Sequence, residues 1–280
     1  MSAFLVKSLE NVKNLFDKQN DYTFLVGAGI SMDEPSNLPH AREFIKVFIE
    51  KFAPEEEKDY LLNLKDLRYE MIVERLVEFI DKDLLFLDYF DLVIFPNINH
   101  LFLAASIING FNVITTNFDY LIEYALIQLL GEELKEKILL IITKGDFENY
   151  ADPLEVLELD FFPLYKIHGS KKNIIKGHLT SNSLITTMNS YGKNREPGQT
   201  FALEPYKIPT VQNLMNSKTL VVMGYSGRDD FDIGPILKTL KEISSIIWID
   251  HANTSDHDIF EIQDINNEEI SNIENRSNVY

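Results

Sequence analysis

Four short stretches of the chain place small or hydrogen-bonding residues directly after apolar runs. Gly27-Ala28-Gly29-Ile30-Ser31 follows Val26, and Thr116-Asn117-Phe118-Asp119 follows Thr115. His168-Gly169-Ser170 follows Ile167, and Gly224-Tyr225-Ser226-Gly227-Arg228 follows Met223. Glycines at 27 and 29 let backbone approach a phosphate with no Cβ in the way; a tight strand-to-helix turn would use them equally well. An amide that both donates and accepts suits Asn117 to hold a sugar hydroxyl or a water, or to cap a helix. An imidazole ordinarily titrates near neutrality, which gives His168 the chemistry of a general base, the alternative being a buried structural histidine.

Other chemistries fail on single residues. The dinucleotide fingerprint of hydride-transfer enzymes needs a third glycine where Met32 stands, and no Gly-Lys-Ser/Thr completes a nucleotide-triphosphate loop. Arg228 stands where a serine nucleophile elbow around Ser226 needs glycine. His40, His100, His178, His251 and His257 lack the setting of His168, and no histidine pair has metal-binding helical spacing, so no metal is expected. Asp229, Asp230 and Asp232 could hold a divalent cation, but as residues at a helix start they are expected to cap it.

The elements that must carry these residues are legible. Apolar runs at Tyr22–Val26, Phe111–Thr115, Ile138–Thr143, Pro163–Ile167, Thr219–Met223 and Ser245–Asp250 lack clean alternation, the pattern of strands covered on both faces. Helical periodicity follows over 119–130 and 231–243. Strand–turn–helix alternation predicts an α/β fold, a Rossmann-like doubly wound parallel sheet, which binds ligands outside the carboxyl ends of its strands. The four chemical stretches all fall at that edge. Residues 40–108 carry helical periodicity without a strand and are read as a helical insertion over the ligand crevice. Residues 171–210 are polar and turn-rich and are read as a loop insertion. The main domain is expected over 1–250, with its first residues starting an amphipathic helix. Residues 251–280, with seven acids and one arginine, read as an acidic tail or linker to a partner.

Composition bounds the setting. The 280 residues carry 26 Lys plus Arg against 44 Asp plus Glu, a net charge of −18 that repels a phosphate backbone, so no direct nucleic-acid partner is expected. The absence of cysteine excludes disulfides, thiolate nucleophiles and Cys-ligated zinc. With no run long enough to span a bilayer and no signal-peptide pattern, a cytoplasmic protein without a membrane partner is expected.

The ordered set Gly-Ala-Gly-Ile-Ser (27–31), Leu38-Pro39, Thr-x-Asn-x-Asp (115–119), His-Gly (168–169) and Gly-x-Ser (224–226) resembles the sirtuin family over roughly 22–250. The resemblance implies a Rossmann-like domain that binds NAD as substrate and breaks its nicotinamide–ribose bond, with Asn117 and His168 in the pocket. Departures accompany it. His40-Ala41-Arg42 stands where the deacylases have Asp-Phe-Arg, and without cysteine there is no zinc ribbon. Thr-Thr-Asn-Phe-Asp and Gly-Tyr-Ser-Gly-Arg-Asp-Asp look more like the sirtuin-like domains of bacterial antiphage defence proteins, which consume NAD. The resemblance therefore implies an NAD glycohydrolase that yields nicotinamide and ADP-ribose as a defence effector, gated by homo-oligomerisation or a defence-system partner. In that reading Asn117 and His168 are catalytic, and Gly27, Ala28, Gly29 and Ser31 cradle the diphosphate. Asp119 supports the turn of Asn117, while Gly224, Ser226 and Asp250 line ribose. The alternatives are an NAD-dependent protein lysine deacylase and a non-catalytic module sensing NAD or ADP-ribose.

Overall fold

Covering both faces of a sheet removes the polar positions from its strands, and the core here is built that way. The computed structural model describes residues 2–8, 21–64, 67–186, 203–225, 233, 237, 243–249 and 259–265. The chain begins with β1 (Ser2–Ser8), β2 (Tyr22–Val26) and a 3-10 turn at Ala28–Ser31. Helices α1 (Ala41–Phe52), α2 (Glu55–Leu62) and α3 (Tyr69–Phe79) follow, then a 3-10 stretch at Leu85–Leu92 and α4 (Ile98–Ile108). Next come β3 (Asn112–Thr115), α5 (Leu121–Leu130), β4 (Ile138–Ile141), α6 (Lys144–Asn149), α7 (Pro153–Glu158) and β5 (Phe162–Lys166). A small hairpin, β6 (Lys172–Asn173) and β7 (His178–Leu179), precedes α8 (Ile208–Met215), β8 (Thr219–Met223), β9 (Ser245–Ile249) and β10 (Ile259–Ile265).

The chain divides into two units. In the unit made of residues 1–20 and 250–280, β1 pairs antiparallel with β10, from Ser2 opposite Ile265 to Ser8 opposite Ile259. This corrects the expectation of an amphipathic helix at the N-terminus, and it places a strand inside the segment read as an acidic tail. Runs as short as Phe4-Leu5-Val6 satisfy helix and strand periodicity alike, so the complementary strand, distant in sequence, decides.

In the unit spanning 21–249, six parallel strands run in the order β4-β5-β3-β2-β8-β9. Alternate residues go to opposite faces. Phe24, Val26, Val113, Leu140, Leu164 and Val221 pack with Leu103, Ala104 and Ile107 of α4 and Ile122, Ala125 and Leu126 of α5. Leu25, Ile114, Ile141, Tyr165, Leu220 and Val222 face the other way, against Phe147, Val156, Val211, Leu214 and Met215 of α6, α7 and α8. Each such buried Leu, Ile or Phe contributes about 1.5–3 kcal/mol relative to exposure. The result is the α/β, Rossmann-like three-layer fold expected. Strand β2 has β3 on one side and β8 on the other; the chain goes from β2 to β3, on to β4 and β5 on that side, and crosses to β8 only afterwards. A doubly wound sheet opens its crevice at such a switch point.

The segment between β2 and β3 is helical throughout its described elements, but its parts do different jobs. Helix α4 belongs to the sheet's cover. Helices α1 and α3 make a small core of their own from Phe48, Val73 and Leu76. Leu87 and Phe90 of the 3-10 stretch pack with Leu38, Tyr120, Leu121 and Leu184, beside the turn that carries Asn117.

Candidate functional site

Parallel register brings the four chemical stretches to one edge. Val26 lies beside Thr115 and Met223, and Thr115 lies beside Lys166, so the chain leaves β2, β3, β5 and β8 at neighbouring points. The β2 exit is tied to β8 by backbone: Gly27 N–H donates to Met223 O at 3.1 Å and Gly29 N–H to Gly224 O at 2.7 Å. The glycines answer to this close approach. A Cβ on Gly27 would lie 2.8 Å from Gly224 O, and one on Gly29 would lie 2.7 Å from Gly224 Cα. Gly224 itself has φ +58°, and a Cβ there would sit 2.4 Å from Ile30 N. Ala28 is exposed at the tip of the turn. Thus the glycines at 27, 29 and 224 lock two loops together, and the outer face of that turn is what remains for a ligand.

The exit of β3 holds the polar centre. Asn117 N–H donates to Thr115 Oγ1 at 3.0 Å, which turns the chain out of the strand. Asp119 uses both carboxylate oxygens: Oδ1 accepts from Leu121 N–H at 3.0 Å, opening α5, and Oδ2 accepts from Ser31 Oγ at 2.9 Å. Asn117 Nδ2 donates to Ser31 Oγ at 3.3 Å, and His100 Nε2 lies 3.0 Å from the same oxygen. Ser31 therefore joins Asn117, Asp119 and His100 through its buried hydroxyl. Asn117 Oδ1, by contrast, is buried with no hydrogen-bond partner among the described residues. An unsatisfied buried acceptor costs about 1–3 kcal/mol. A hydroxyl or water arriving at this atom would remove that cost.

His168 leaves β5 two residues after Lys166, as Asn117 leaves β3 two residues after Thr115, and these two strands are neighbours. Its imidazole lies 6.4 Å, centroid to centroid, from the ring of Phe118. Gly169 turns at φ +80°, and its N–H donates to Lys166 O at 3.0 Å. The loop beyond is clamped to the 3-10 stretch of 85–92 by Lys171–Asp88 at 2.7 Å and Lys172–Asp91 at 2.5 Å. Ser226 and Asp250 lie outside the described residues, as do Asp229, Asp230 and Asp232. Among the described residues no group of His, Cys, Asp and Glu could hold a metal ion, and no helix is long and apolar enough to cross a membrane.

Three contributors are missing from the sequence reading. His100, set aside there, is wholly buried at the first turn of α4 and faces Ser31. Burial holds its imidazole below the ordinary histidine range, against the opposing pull of the Asp119 carboxylate. Its only sequence signal is Asn97-x-x-His100, a capping-box spacing in which Asn97 Oδ1 accepts from His100 N–H and His100 Nδ1 accepts from Asn97 N–H. Lys166 and Lys207 are buried and hold loop carbonyls, Lys166 that of Asp119 and Lys207 that of Ile167, each at 2.6 Å. Neither a lysine closing an apolar strand, as Lys166 does, nor one just ahead of a helix, as Lys207 is, carries a mark of such a role.

A family model for the SIR2-like domain matches residues 112–265, more than half of the chain. The chain belongs to the SIR2-like family. The matched stretch opens at the first residue of β3, so it contains Asn117, Asp119, His168 and Gly224, while Ser31 and His100 precede it. Membership supports an NAD-related function and an NAD-utilising enzyme. No curated protein matches the chain.

Proposed function

We propose that this SIR2-like protein is an NAD glycohydrolase, cleaving NAD to nicotinamide and ADP-ribose. The observation that carries the reading is the buried Oδ1 of Asn117, without a hydrogen-bond partner among the described residues and held at the switch-point edge of the sheet with its Nδ2 fixed on Ser31. That atom offers acceptance without negative charge. It fits a ribose hydroxyl or a water, and so the residues present fit NAD.

NAD brings a glycosidic C–N bond whose leaving group departs neutral, so the protein has no strong acid to supply. Asn117 Oδ1 orients the hydroxyl or water that donates to it. His168, beside the Phe118 ring, takes the proton from the attacking water or a ribose hydroxyl, a step typically worth ~10²–10⁴ in rate. Gly27, Ala28 and Gly29 offer the outer face of their turn to the diphosphate. Gly224, at the exit of β8, lines ribose. Asp119 holds the Asn117 turn through both its oxygens.

The same resemblance supports action as an antiphage effector that depletes NAD, restrained by self-association or a partner until triggered. The test is incubation of the protein with NAD, alone and with an acyl-lysine peptide, with products read by mass spectrometry. Nicotinamide and ADP-ribose formed without peptide, and lost in Asn117→Ala and His168→Ala, are the expected result. Turnover that requires the peptide would make the protein a deacylase. Binding of NAD with no product would make it a sensor.

A further inference from the structure

We infer that His100 is a positioning residue for Asn117, acting through the hydroxyl of Ser31. The inference rests on the reading of Asn117 as a substrate-orienting acceptor, and it follows from placing each proton in turn. His100 Nδ1 lies 3.1 Å from the backbone nitrogen of Asn97, which has only a proton to offer. Nδ1 must therefore present its lone pair, and in a neutral imidazole the ring proton is then on Nε2. That proton points at Ser31 Oγ, 3.0 Å away.

Ser31 Oγ is thereby an acceptor from His100, and its own single proton goes to the remaining strong acceptor, Asp119 Oδ2 at 2.9 Å. With the serine proton committed to the carboxylate, the serine oxygen can only accept from Asn117. It receives the Nδ2 proton at 3.3 Å, since a flipped amide would set two acceptors against each other. The other end of the amide is then necessarily Oδ1, the atom found buried without a partner among the described residues. The backbone N–H of Asn97, through one imidazole and one hydroxyl, fixes which end of Asn117 meets the ligand.

The scaffold around this chain of bonds is rigid. Asn97 Nδ2 donates to Ile30 O at 2.8 Å and to Asp33 O at 3.2 Å, so the cap that sets the imidazole also grips the segment carrying Ser31. His100, Ser31, Asn117 and Asp119 are all buried, where bulk water does not compete for these bonds.

The test has two arms. Steady-state nicotinamide release by His100→Ala should show kcat lowered on the order of 10–100-fold, the range for losing a partner that orients a functional side chain, with KM little changed. His100→Gln, whose amide nitrogen can still donate to Ser31, should recover most of that loss. Wild-type kcat in His100→Ala, or a loss expressed in KM alone, would overturn the inference. The second arm reads the ¹⁵N shifts of the ring nitrogens in the wild-type protein, with the His100→Gln spectrum assigning the signal. A neutral Nε2–H tautomer near neutral pH is expected, and an Nδ1–H tautomer or an imidazolium would overturn the inference. This arm does not depend on turnover: if the protein releases no nicotinamide, the glycohydrolase reading fails while the tautomer still tests the network.

Discussion

The ammonium of Lys166 lies 2.6 Å from Glu123 Oε1 and 2.6 Å from the carbonyl oxygen of Asp119, with both charged side chains 1% exposed. One cation thus holds β5, the first turn of α5 and the turn that carries Asn117. Burial pushes the Glu123 carboxyl above its ordinary range, and Lys166 pulls it back. Removing one partner strands the other charge in the core. Glu123→Leu and Lys166→Met should each cost about 3–5 kcal/mol by denaturant unfolding, and the double variant should be more stable than either single. The double variant should still release nicotinamide more slowly than wild type, because the Asp119 carbonyl is no longer held. A double variant no more stable than the singles would show that the pair is not coupled.

Gly169 is a second fixed point, next to His168. Its φ is +80°, and a Cβ would fall 2.1 Å from Ser183 O and 2.5 Å from Ser183 C. Those are backbone atoms, so no rotamer change relieves the clash. Gly169→Ala should destabilise by at least about 1–2 kcal/mol, the left-handed penalty alone, and should lower nicotinamide release beyond the effect of stability. Denaturant midpoints and turnover measured on the same samples check both parts.

The buried imidazole of His100 gives a pH dependence with a definite sign. Its folded pKa is lowered by burial, with Asp119 opposing. The unfolded chain therefore takes up a proton near the ordinary value of about 6.5 that the folded site refuses. Protons bound then favour the unfolded state, and stability falls as pH drops below about 6.5, with no contribution from this group above it. Melting temperatures at about pH 7.5 and about pH 5.5 should fall further for wild type than for His100→Gln, which has no proton to accept there. Equal falls would remove His100 from the acid sensitivity.

Much of this fold is legible in residue order. Tyr22–Val26 and Thr219–Met223 are strands with the bounds read from their apolar runs, because a charged residue before each and a glycine after each end them sharply. Asn117, Asp119 and His168 are visible because polar residues directly after apolar strands must lie at the sheet's carboxyl edge. What residue order hides is contact between segments far apart. Residue order does not show that the missing Cβ atoms of Gly27 and Gly29 also admit Gly224, whose loop is adjacent only after β2 and β8 pair. His100 looks like any histidine on an apolar helix until α4 docks and turns it toward Ser31. The strand at Ser2–Ser8 is likewise defined by its distant partner, Ile259–Ile265.

The sharpest prediction concerns a change of one atom at Asn117. Replacing the amide by a carboxylate keeps an oxygen where Oδ1 stands, and if acceptance alone mattered, Asn117→Asp would stay active. The network argues otherwise. Ser31 Oγ has its proton committed to Asp119 Oδ2 and would face a second carboxylate with no proton between them. That carboxylate would be buried a short way from Asp119, where like charges disfavour ionisation of both. Asn117→Asp should therefore lose activity nearly as far as Asn117→Ala, on the order of 10²–10³-fold, comparable to losing one preorganised polar contact at a reacting centre. It should also melt lower than Asn117→Ala near neutral pH and regain stability as pH falls, because protonation relieves the repulsion. Retained turnover in Asn117→Asp, measured as nicotinamide release, would show that the orientation of the amide does not matter.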